Sequence, residues 1–209
     1  KIKILFNGVD LIKFDPDNAD RNKLRNELGI NEDQLLVGMT GRFSPGKGHE
    51  DFLLAITELN KKYPDLKYVV VGEASRGEDE YEKKIRQIAE ESGIKNITFT
   101  GYRTDIPDVL AAFDVFVFPS HAEAFGVGLI EAMAMGKASV AANSDGVLDI
   151  INDKIDGLFF NSRDGLDLAA KIEMLIKDSE LRKQLGINAR KKTEQTFDLE
   201  IVTEQLINN

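Results

Sequence analysis

The stretch Asp114-Val-Phe-Val-Phe-Pro-Ser-His-Ala-Glu123-Ala-Phe-Gly-Val-Gly-Leu-Ile-Glu131-Ala-Met-Ala-Met-Gly136 decides the fold. It opens with an unbroken apolar run, residues 115–118, stopped by Pro119. A short β-branched and aromatic run with no polar alternation reads as a strand covered on both faces. It closes with residues 128–135, which read as a helix ended by Gly136. Between strand and helix lies a loop with an acid at each end, Glu123 and Glu131, eight positions apart. On one helix, eight steps of ~100° would leave the two side chains roughly 80° apart. Glu123 is therefore placed in the loop and Glu131 on the first turns of the helix. Carboxylates accept strongly from hydroxyls, so this pair can grip a polyhydroxylated ligand at two ends, and a sugar nucleotide is a candidate. An ordinary helix-start acid beside a solvated glutamate is the alternative.

The same alternation continues outward in both directions. Residues 35–40, 68–71, 97–100, 138–141 and 157–160 read as further buried strands. Helical patterns fall at 50–63, 79–92, 106–113, 147–152, 166–177, 179–195 and 199–208. Strands alternating with amphipathic helices predict an α/β chain, Rossmann-like and doubly wound, with a mostly parallel sheet of about six strands and helices on both faces. Gly93 and Gly136 read as helix C-terminal glycines, and Pro64 as the stop for a helix running to Tyr63. Residues 15–22, with Pro16, read as a polar surface connection. One domain over 1–209 fits this pattern.

Composition narrows the chemistry. Of 209 residues, 42% are hydrophobic and 30% charged, an ordinary globular balance. The chain has no cysteine, which excludes disulfides and thiolate metal sites. A net charge of −9 disfavours nucleic acid and anionic lipid as partners, so a phosphate ligand needs a local basic pocket. No apolar run approaches the roughly 20 residues of a membrane span, and a cytoplasmic location is the default expectation. The chain begins with Lys1 and runs directly into Ile2-Lys-Ile-Leu-Phe6, as expected of a piece of a longer protein.

That basic pocket has a candidate in Gly41-Arg42-Phe-Ser-Pro-Gly46-Lys47-Gly48, which follows a strand and precedes a helix. Glycines let a ligand approach the backbone, and the helix N-terminus offers free amides. Arg42 can fork onto phosphate oxygens and Lys47 adds a point charge. A solvated turn is the alternative. It is no Walker A loop, because Gly48 stands where the Ser or Thr would be. Tyr102 and Arg103 follow the strand at 97–100, where an aromatic or guanidinium plane can flank a base; a surface turn is the other reading. His49 and His121 are too far apart to suggest a metal site, and no Asp-x-Asp follows a candidate strand. No metal or other cofactor is expected.

Taken in order, these segments resemble the donor-binding half of a retaining glycosyltransferase of the GT-B fold, family 4, the glycosyl transferases group 1 domain. The resemblance runs through Asn7-Gly8-Val9-Asp10, Gly41-Arg42 with Lys47-Gly48, Val69-Val-Val-Gly72, Phe99-Thr-Gly101, Asp114–Ser120 and Glu123 to Gly136. It implies hexosyl transfer from a UDP- or GDP-sugar, without a divalent metal. Arg42, Lys47 and Glu123 would be the catalytic set. Gly41, Tyr102, Arg103, Phe125, Gly126, Val127 and Glu131 would bind the donor. Within that scheme Arg42 and Lys47 hold the diphosphate and Glu131 the ribose. Glu123, with the amides of Phe125 to Val127, holds the sugar, and Tyr102 and Arg103 lie at the base. The pattern departs at Glu73-Ala74, where a second glycine is common, and at Asp145-Gly146-Val-Leu-Asp149, where Gly-Gly-x-x-Glu is common. The resemblance also implies an amino-terminal partner domain carrying the acceptor site, to which the helix at 199–208 would cross. This chain would then bind donor without transferring it, and membrane contact would come only through the missing domain. A non-catalytic binding module or a sugar-nucleotide epimerase of the same fold are the competing functions.

Overall fold

The computed structural model describes residues 5–208. The opening residues Lys1 to Ile4 of the first apolar run lie outside them. Six strands form one sheet: β1 (Leu36–Thr40), β2 (Lys67–Val71), β3 (Ile97–Phe99), β4 (Val115–Phe118), β5 (Ala138–Ala142) and β6 (Leu158–Phe160). Their spatial order is β3-β2-β1-β4-β5-β6, and every pairing is parallel. Chain order runs outward from β1 in one direction, then restarts at β4 and runs outward in the other. The sheet thus switches direction between β1 and β4, which are in register at Val37 and Val115. A crevice opens at such a switch, beyond the carboxyl ends of the strands.

Among the described residues eight α-helices flank the sheet: α1 (Arg21–Glu27), α2 (His49–Asn60), α3 (Asp79–Glu91), α4 (Ile106–Ala112), α5 (Val127–Ala134), α6 (Gly165–Lys177), α7 (Ser179–Thr196) and α8 (Leu199–Ile207). Alternate strand residues feed two separate cores. Phe116 and Phe118 pack with Leu24 of α1, Val109 of α4 and Ile130 of α5 on one face. Val115 and Val117 pack with Phe52 of α2, Ile85 of α3 and Leu168 of α6 on the other. Burial on both faces explains why the strands carry no polar alternation.

Four helices start on aspartates whose side chains accept from backbone amides: Asp20, Asp164, Asp178 and Asp198. α2 and α5 start differently, on Gly48 and Gly126, with φ of 75° and 112° and no side-chain cap. At Gly48 a Cβ would also overlap the carbonyl oxygen of Pro119. Only glycine serves there, both for its dihedral and for the approach of β4's end.

The six strands and most helices fall where the sequence places them, with four corrections. α1 occupies part of what reads as a surface connection. The helix expected to reach Tyr63 ends at Asn60, and Lys61, Lys62 and Tyr63 turn back onto Leu59 before Pro64. The helix expected at 147–152 is a 3-10 turn, Asp145–Asp149, and the buried Ile150 and Ile151 follow it outside any helix. The last helix closes at Ile207, one residue early.

Candidate functional site

At the switch point, two neighbouring cavities share a wall of Thr40, Gly41 and Arg42 at the end of β1. The larger, about 660 Å³, lies over the ends of β1, β2 and β3 and reaches Ser75, Arg76, Tyr102 and Arg103. The smaller, about 320 Å³, lies over β1 and β4 and holds Lys47, Ser120, Glu123, Val127 and Glu131. Four of the charged residues singled out in the sequence, Arg42, Lys47, Glu123 and Glu131, therefore meet in one cavity, from the Gly-rich loop, the loop after β4 and α5.

The Gly-rich loop is held on both sides. Gly41 N–H donates to Val71 O at 2.9 Å and Phe43 N–H to Glu73 O at 3.1 Å, tying the loop to the end of β2. On the β4 side, His121 N–H donates to Gly46 O at 2.7 Å. Phe43 stacks on His49 at 4.5 Å between ring centroids, so the loop's one large apolar residue is anchored in the core. Arg42 stays exposed, with Nη1 donating to Ser75 Oγ at 3.0 Å. Lys47 Nζ lies 2.6 Å from Glu123 Oε2, and Ser120 Oγ donates to the same oxygen at 3.2 Å.

Glu131 sits in the second turn of α5, half-buried. Burial raises its carboxyl pKa, and the positive charge of Lys13 pulls in the opposite direction. Among the described residues no donor reaches this carboxylate, which leaves its oxygens available to hydroxyls. Val127 and Gly128, the first residues of α5, line the same cavity. The amides of Phe125, Gly126 and Val127 donate to no protein acceptor among the described residues.

Some expected roles shift. The Phe125 ring does not line either cavity; it turns into the core against Phe6 and Phe197, at 5.7 and 5.8 Å. Gly126 is likewise behind the wall, and its contribution is the turn that starts α5. Tyr102, 68% exposed, and Arg103 both line the larger cavity. The Arg103 guanidinium, however, is taken edge-on by Asp105 at 2.8 and 2.9 Å and by Glu27 at 2.9 Å. These carboxylates raise its pKa, Asp105 most, and leave only its flat face for a ligand. His121 bridges Asp51 of α2 at 3.0 Å and Ser162 at 3.2 Å, a structural tie beside the loop. Among the described residues no group of three His, Cys, Asp or Glu side chains could hold a metal.

Lys13, Ser75, Arg76 and Ser120 line the cavities without having been singled out in the sequence. Ser75 could have been found: it follows Glu73-Ala74, the departure after Gly72. At the second departure, Gly146 N–H donates to Glu123 O at 3.2 Å, so that turn braces the loop carrying Glu123. Lys13 has no local signal and reaches the site only through the path of the chain before α1.

The family model described as glycosyl transferases group 1 matches residues 20–192. A Campylobacter jejuni N,N'-diacetylbacillosaminyl-diphospho-undecaprenol alpha-1,3-N-acetylgalactosaminyltransferase is 31% identical over 203 residues, covering 96% of this chain and 51% of that protein. The Anabaena Alr3699/HepE structure in complex with UDP and glucose superposes with a TM-score of 0.91 at 31% identity, over 99% of this chain and 55% of that one. The C-terminal domain of a glycosyl transferase group 1 family protein from Francisella tularensis superposes with a TM-score of 0.82 at 31% identity, over 92% of this chain and 100% of that domain. The chain spans about half the length of the full-length relatives it matches.

Proposed function

Since the chain belongs to the glycosyl transferases group 1 family, as the C-terminal half of a GT-B fold, we propose that it supplies the donor site for retaining hexosyl transfer from a UDP- or GDP-sugar. The observation that carries this reading is the meeting of Arg42, Lys47, Glu123 and Glu131 in one cavity at the sheet's switch point. UDP in complex with a structural relative supports the uridine member of the pair.

The nucleoside lies in the larger cavity, with its base near Tyr102 and the face of Arg103. Its ribose hydroxyls donate to Glu131, across the wall that the two cavities share. The diphosphate sits at that wall, between Arg42 and Lys47. The sugar enters the smaller cavity, where Glu123 and the open amides at the start of α5 take its hydroxyls. Breaking the anomeric bond builds negative charge on the departing phosphate. Arg42, Lys47 and the positive end of α5 are in place before that charge develops; a preorganised donor of this kind lowers a barrier by about 3 kcal/mol, and a helix end by about 1. The two cations supply the neutralisation that a divalent ion would supply elsewhere, so the reaction proceeds without metal. The acceptor enters from an amino-terminal domain that packs over the same carboxyl edge, in a cytoplasmic setting.

Calorimetric titration of this chain with UDP-, GDP- and ADP-sugars tests the reading. Saturable binding is expected for one base. Arg42→Ala and Lys47→Ala are each expected to weaken it roughly tenfold to a hundredfold, the loss of a charge-assisted contact to phosphate. Absent binding, or binding indifferent to both substitutions, overturns it.

A further inference from the structure

We propose that Glu123 is an internal substitute for the donor's diphosphate, and that its exchange off Lys47 lets the site tell a sugar-bearing nucleotide from a bare one. The inference rests on the donor-site reading above. Lys47 Nζ and Glu123 Oε2 are 2.6 Å apart, with side chains only 25% and 19% exposed. Ser120 Oγ donates to the same carboxylate oxygen at 3.2 Å. The backbone holds the pair in place, because Gly46 O accepts from His121 N–H at 2.7 Å. The loop carrying the lysine and the loop carrying the glutamate are thus stitched together, and the cation finds its counter-charge without any ligand.

In this exchange a bare nucleoside diphosphate takes Lys47 by displacing Glu123. That leaves a half-buried carboxylate stripped of its cation and facing a second anion in the same small cavity, which is unfavourable on both counts. A nucleotide carrying a sugar brings hydroxyl donors to Glu123 as its phosphates take Lys47, so both charges are satisfied at once. The same exchange runs backwards after transfer. Once the sugar has left, Glu123 loses its donors, returns to Lys47 and competes with the spent nucleotide. Product release and donor selection then follow from one ion pair. No bond is made or broken in this step, and no proton moves.

The test is calorimetric titration of the 209-residue chain, and of its Glu123→Gln, Lys47→Met, double and Ser120→Ala variants, with UDP, UDP-glucose, GDP and GDP-mannose. For the base that binds, Glu123→Gln is expected to tighten the bare diphosphate about fivefold, the strength of a partly exposed ion pair. It is expected not to tighten the sugar nucleotide, so the preference for the sugar-bearing form shrinks. In the Lys47→Met background, Glu123→Gln is expected to give a clearly smaller gain, the through-space charge alone. Ser120→Ala loosens the carboxylate without altering charge and is expected to move the bare nucleotide in the same direction; it decides the matter if Glu123→Gln fails to fold. Bare-nucleotide affinity that is unchanged or weaker overturns the exchange, and so does an equal gain in both Lys47 backgrounds, which would be through-space charge alone. Either result leaves the donor site standing. Failure of the wild-type chain to bind any of the four ligands overturns the donor site and the exchange together.

Discussion

His49 is the first residue of α2 and is 1% exposed, with neither ring nitrogen hydrogen-bonded to a described residue. Its ring lies flat on Phe43 and edge-on to Tyr81 at 5.9 Å, so an imidazole here serves as an aromatic spacer under the Gly-rich loop. Burial pushes its pKa down from 6.5 to about 4. The unfolded chain takes up this proton near pH 6.5, whereas the folded chain resists until about pH 4. Stability is therefore complete above pH 6.5 and drains away as pH falls through that window. At the bottom of the window the loss from this one residue is about 3 kcal/mol. Urea unfolding of wild type and His49→Leu between pH 7 and 4 measures it. The variant should show a clearly shallower decline, and parallel curves would mean that the folded chain accommodates imidazolium.

α1 shows where the sequence stops being legible. Its seven residues, Arg-Asn-Lys-Leu-Arg-Asn-Glu, offer one apolar anchor, Leu24, and so give no periodicity to read. What packs instead is an arginine. Arg25 is 1% exposed and donates to the carbonyls of Ala112, Asn31 and Gln34, while its Nη1 lies 3.2 Å from Asp114 Oδ2. Asp114 in turn accepts from the first amide of β1, Leu36 N–H, at 2.8 Å. One buried ion pair thus joins α1 to the end of α4 and the start of β1. Arg25→Ala strips this carboxylate of its buried partner and orphans three carbonyls, and is expected to cost roughly 3–5 kcal/mol in a urea melt. A loss below ~1 kcal/mol would mean that Arg21, 2.8 Å from the same aspartate, takes over. By contrast, the strands and long helices are legible because their signal is apolar burial, carried by neighbours in sequence. The site is legible only in part for the same reason. Glycines and charges after strand ends stand out locally, but the contacts Lys47–Glu123 and Arg42–Ser75 join residues 76 and 33 positions apart. No local pattern encodes which of several charges will meet.

Across the whole molecule, apolar surface is unevenly covered. Leu206 and Ile207 at the end of α8 are 63% and 76% exposed, and Ile12, before α1, is 82% exposed. α8 is nonetheless tied to the beginning of the chain: Val9 N–H donates to Phe197 O at 2.7 Å and Leu199 N–H to Val9 O at 3.0 Å. Its anchoring therefore resides in its first turn, and the outer end adds nothing to this chain's own core. Leu206→Glu with Ile207→Glu is expected to leave unfolding free energy within about 0.5 kcal/mol of wild type. A loss above ~1 kcal/mol would place those side chains in the core after all. The wall of Thr40, Gly41 and Arg42 between the two cavities has a consequence for how such a chain can diversify. Any substitution there alters both compartments together. A substitution confined to one compartment has to fall on the outer walls, Tyr102 and Arg76 for one and Val127 and Ser120 for the other.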